Sequence, residues 1–92
     1  MEDALMAKVA ELLRGVAAGT TSADDAMAVL QERGHEARWD GLFNAAWADI
    51  QHYGDDLDIR ERDPSYGEKQ RQDMVKLAEK IERKIELHRR SE

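Results

Sequence analysis

Asp49 and His52 stand three residues apart, and Tyr53, Asp55, Asp56 and Asp58 follow almost at once. Crowded carboxylates raise one another's pKa and an imidazole titrates near neutrality, so this run holds the ingredients of general acid–base catalysis. It also holds fragments of metal motifs. The D-x-x-H pair puts two ligands on one side of a helix, and Asp56 with Asp58 opens like a calcium loop. The rest of the spacing argues against both metals. Arg60 fills the third calcium-ligand position, Glu61 replaces the loop glycine, and Gly67 stands where a bidentate glutamate belongs. A helical di-iron site needs two D/E-x-x-H pairs plus further glutamates. Glu32 and His35 supply the second pair, but Gly34 interrupts the helix between them. The chain has no cysteine, no glycine-rich phosphate cradle and no serine in a strand-to-helix nucleophile turn. The expectation is a non-catalytic protein without cofactor or metal. A small metal-dependent hydrolase using His52 and the nearby aspartates ranks behind other readings.

Recognition of another protein fits the same residues better. Asp49, Asp55, Asp56 and Asp58 place four acids in ten residues with no lysine or arginine among them. Such a patch steers basic partners inward, and a tyrosine beside it can act as an anchor. Asp49, His52, Tyr53, Asp55, Asp56 and Asp58 are therefore the expected partner-binding residues. Tyr53 and Tyr66 fit the edge of a core equally well.

The charge distribution agrees. The net charge is −6, and residues 1–62 hold 13 acids against 6 lysines and arginines. Residues 63–92 hold 8 bases, but 7 acids are interleaved with or flank them, so no cationic stripe forms for nucleic acid or a membrane surface. His35, His52 and His88 are far apart in sequence and read as surface or interface residues. No run approaches the ~18 apolar residues of a membrane span, and the start lacks a basic segment followed by an apolar block. With cysteine absent, a cytoplasmic location is expected.

Helices must position these groups. Leu5, Met6, Val9, Leu12, Leu13 and Val16 recur by threes and fours, which predicts a helix over 2–18 that frays between Gly15 and Gly19. Ser22 reads as the N-cap of a short second helix, with Asp25 three residues on and Gly34 at its end. Trp39, Leu42, Phe43, Ala46, Trp47, Ile50 and Tyr53 fall within an arc of about 140°, predicting a third helix over roughly 36–53 with its rings turned inward and Gly54 as its stop. An extra turn is expected near Leu57 and Ile59. Asp63 followed by Pro64 starts a long charged helix to about residue 89, with Met74, Leu77, Ala78, Ile81, Ile85 and His88 along one narrow stripe. Glu79 with Arg83, and Glu86 with Arg90, have the spacing of helical ion pairs.

The fold expected is a single all-α domain over residues 1–92, a small bundle of four helices with the last long and charged. Thirteen alanines make the core thin, so burial of a further apolar stripe in a homodimer is the second functional expectation, with Ile81 and Ile85 on its seam. In size, acidity and helix content the chain is similar to small helical immunity proteins that neutralise bacterial toxins. It carries none of the residue motifs of the colicin-type group, and no functional residue is transferred from that likeness. The leading expectation is an inhibitor, immunity or adaptor type of protein that engages a basic partner through the acidic corner between the third and fourth long helices.

Overall fold

The computed structural model describes residues 2–33 and 40–91, with side chains over 4–33 and 41–90. Every element there is helical: α1 (Glu2–Ala18), α2 (Ala23–Arg33), α3 (Asp40–Asp55), α4 (Leu57–Arg62) and α5 (Pro64–Ser91). Four of these are the helices of the expected bundle, with α2 short and α5 long, and α4 is the extra turn grown to six residues. The expectations for Gly34, His35, Trp39 and the stretch 36–39 lie outside the described residues.

The apolar stripe of α1 forms the centre of the core. Leu5, Met6, Val9, Leu12, Leu13 and Val16 are all buried, joined by Ala10. They meet Ala26 and Leu30 from α2, Phe43, Ala46 and Ile50 from α3, and Met74, Ala78, Ile81 and Ile85 from α5. No charged or polar residue with a described side chain is buried, as a core this thin requires. Trp47 is half-buried against the core edge and tilted 43° to Phe43 at a ring separation of 6.3 Å.

The helix ends follow local chemistry. Ala18 is the last residue of α1, and Gly19 takes the left-handed conformation at φ +80°. This lets the amide of Thr20 reach the carbonyl of Gly15 at 2.9 Å and that of Gly19 reach Val16 at 3.2 Å, the paired bonds of a Schellman turn. The Ser22 hydroxyl accepts from the amide of Asp25 at 3.0 Å and caps α2. Asp63 caps α5 likewise, its Oδ1 accepting from the amide of Ser65 at 3.1 Å and from the hydroxyl at 2.6 Å. The bond from the Ser65 hydroxyl foremost holds its carboxyl below the usual aspartate range, against an opposing effect of burial.

Gly54 does not stop α3. The helix continues through it to Asp55, and the amide of Asp56 still bonds back to His52 at 2.9 Å. The glycine serves packing instead: a Cβ at Gly54 would stand 3.2 Å from the Cβ of Ala23, so its absence lets the start of α2 lie close against the end of α3.

At ~1.5 Å per residue the 28 residues of α5 span about 42 Å, nearly the whole 48 Å long axis of the molecule. The shorter α1 runs antiparallel along its C-terminal part. Arg14 clamps Glu82 with two bonds, at 2.9 Å and 2.6 Å, while Ala17 and Ala18 face residues nearer the start of α5. Arg14 holds the Glu82 carboxyl below its ordinary range, opposed by partial burial. Glu86 pairs with Arg90 at 2.7 Å as its spacing implies, whereas Glu79 acts on Arg14 across the helix interface. The C-terminal stripe of α5 is not a free seam: Ile81 is fully buried and Ile85 nearly so, both against their own chain's core. Both side chains are therefore covered within their own chain.

Candidate protein-binding corner

The acidic corner is built where α3, α4 and the start of α5 meet. Asp56 is the residue between α3 and α4, in the N-cap position of α4, yet its carboxylate does not cap that helix. It turns toward α5 instead, where Oδ2 accepts from the Tyr66 hydroxyl at 2.8 Å and from Nε2 of Gln70 at 3.1 Å. Arg60 closes the other side. Its guanidinium lies 3.7 Å from the centroid of the Tyr53 ring, donates to the Tyr53 carbonyl and reaches Oε1 of Gln70 at 3.3 Å. Four side chains from three helices, and Asp56 between two of them, thus form one connected lock.

That lock divides the expected site residues into two groups. Tyr53 is half-buried, packed on the core and covered by Arg60, so its ring belongs to the core edge. Tyr66 is half-buried and committed to Asp56. Asp55 and Asp58 are exposed, as is His52. The apolar groups that reach solvent at this corner are Leu57, 52% exposed, and Ile59, 46% exposed. Sequence reasoning noted those two only as an extra turn. The available signal was an amphipathic period too short to read: six residues hold fewer than two turns.

Asp49 and His52 lie around the side of the corner, in a cleft of about 180 Å³ between α3 and α5 that Tyr66, Lys69, Gln70 and Asp73 complete. Partial burial pushes the Asp49 carboxyl up, the Asp73 charge adds to this, and His52 opposes it. Tyr66, Lys69, Gln70 and Asp73 follow i, i+3, i+4, i+7 spacing, a polar stripe on α5 that was legible but not singled out. Among the described residues no three His, Cys, Asp or Glu side chains are placed to share a metal ion.

The Tyr66 bond has a measurable signature. Donation to Asp56 raises the phenol above the ordinary value of 10.0, burial and the Asp56 charge add to the rise, and Arg60 counters it. The stabilising contribution of the phenol is therefore fully present below that ordinary value and disappears as pH climbs through the raised one. Asp56→Asn, made alongside Tyr53→Phe so that one tyrosine is observed, is expected to lower the pH of tyrosinate formation followed by ultraviolet absorbance. An unchanged titration would show that the bond is absent in solution.

Fold and site together define a small all-helical bundle that presents an acidic, partly apolar corner. Among the described residues no helix is long and apolar enough to cross a membrane. Comparison with protein families, with characterised proteins and with solved structures finds no match to the chain.

Proposed function

We propose that this protein is a non-catalytic binding protein, of the inhibitor, immunity or adaptor sort, that engages a basic protein through the corner formed by α4 and the end of α3. The observation that carries this reading is the pairing of exposed Leu57 and Ile59 with exposed Asp55 and Asp58 on the same short segment. Apolar side chains beside exposed acids give an anchor that excludes water and a field that accelerates encounter with an oppositely charged surface. The lock of Asp56, Tyr66, Gln70, Arg60 and Tyr53 supports it further, because a pre-shaped corner loses little conformational freedom on binding. Asp49 and Asp73 lie in the adjoining cleft, beside His52 and Lys69.

Asp55→Lys with Asp58→Lys tests this without touching the lock, since Asp56 is left in place. The immobilised wild-type protein is expected to retain a basic partner from cell extract at about 50 mM salt and to release it by about 300 mM, where screening shortens the reach of surface charge. The double variant should retain none of it while its circular dichroism stays that of wild type. Retention of the same partner by the double variant would refute the reading, as would a partner that is acidic.

A further inference from the structure

Where α1 ends at Ala18, α5 continues, and the face it would have covered is left as an open groove of about 640 Å³. Ala17, Ala18 and Val75 supply its apolar lining, and Arg14, Glu68, Arg71, Gln72, Lys76 and Glu79 the remaining surface. Arg71, Val75 and Glu79 are spaced by four, so they form one inclined ridge along the helix, with a cation at one end, an apolar side chain in the middle and an anion at the other. Such a ridge is complementary to itself when reversed.

We propose that this groove is occupied by α5 of a second copy of the chain, packed antiparallel about a two-fold axis at Val75. Turning the ridge about that axis sets Val75 on Val75 and brings each Arg71 to Glu79 of the other copy, two charge pairs from one patch, as an isologous interface requires. Ridges of this class cross at about −50°, and the alanines at the end of α1 leave room for the incoming helix. Glu68 falls opposite Glu82 of the second copy, whose charge Arg14 of that same copy already balances. The contact involves none of the corner residues assigned to the basic partner, and it replaces the Ile81 and Ile85 seam that the core has claimed.

Sedimentation equilibrium from about 5 µM to about 500 µM is expected to show the 10.5 kDa monomer giving way to a dimer. Arg71→Glu and Glu79→Arg each convert two attractions into two repulsions, so each alone is expected to weaken the dimer by about tenfold or more. An equimolar mixture of the two variants restores complementarity in both pairs and should dimerise about as well as wild type, as should the chain carrying both changes. Circular dichroism of each variant confirms that the helices are intact. A wild-type monomer throughout the range overturns the proposal. So does a dimer insensitive to either single change, or one that the mixture fails to restore.

Discussion

Ile81→Asp is expected to unfold this protein rather than dissociate it. Ile81 is fully buried and packs among Met74, Ala78 and Ile85 of α5 and the apolar stripe of α1. Truncating such a side chain costs ~2–5 kcal/mol, and adding a carboxylate with no buried partner raises the cost further. A core of this size supplies a net stability of only ~3–5 kcal/mol. Circular dichroism at room temperature should therefore show most of the helical signal lost at any protein concentration. Leu57→Asp provides the contrast. Leu57 is 52% exposed, so the same change there should leave the unfolding free energy from urea titration within about 0.5 kcal/mol of wild type. A folded Ile81→Asp chain would mean that α5 does not lie against α1 as described.

Arg60→Ala is expected to have the second largest effect, and a local one. The guanidinium ties α4 to its neighbours through the Tyr53 ring, the Tyr53 carbonyl and Gln70. Partly buried stacking of this kind and charged hydrogen bonds together stabilise by about 2 kcal/mol. A helix of six residues with no buried side chain has little else to hold it, because a helix so short does not persist in isolation. Amide exchange should quicken at Arg60 and Asp63, whose N–H groups bond to the carbonyls of Asp56 and Ile59 at the two ends of α4, while the amides in the middle of α1 keep their protection. Lysine at position 60 should not restore it, since an ammonium cannot stack flat on the ring and donate along its plane at once. If α4 stays protected in Arg60→Ala, the lock is not what shapes the corner, and the pre-shaped binding surface proposed for Leu57, Ile59, Asp55 and Asp58 loses that support.

The two variants separate the kinds of force in the molecule. Around Ile81 stability comes from burial of apolar side chains, which carry no titratable group. At the corner it comes from directed bonds among Asp56, Tyr66, Gln70, Arg60 and Tyr53, all of them ionisable except Gln70. Such an arrangement answers to pH and to single substitutions without threatening the whole fold. It also explains why the acids of the corner are unequal. Asp56 is structural, while Asp55 and Asp58 are exposed.

What the sequence by itself determined was whatever depends on neighbours within two helical turns. The stripe of α1 is buried residue for residue, Ser22 and Asp63 cap the helices they precede, and the last helix is long. Periodicity and capping are local properties, written in three- and four-residue spacings. The tertiary structure decided what depends on segments arriving from elsewhere. Gly54 reads as a helix stop until Ala23, 31 positions earlier, is seen pressed against it. Asp56 reads as one more surface acid until α5 brings Tyr66 and Gln70 to its carboxylate, and Tyr53 reads equally as anchor or core edge until Arg60 is seen over its ring. Ile81 was legible as apolar, but whether its cover was α1 or another molecule turned on how far α1 reached along α5. A helical pattern states which face is apolar; only the packed chain states what lies on that face, because burial is a property of pairs of surfaces and not of either one alone.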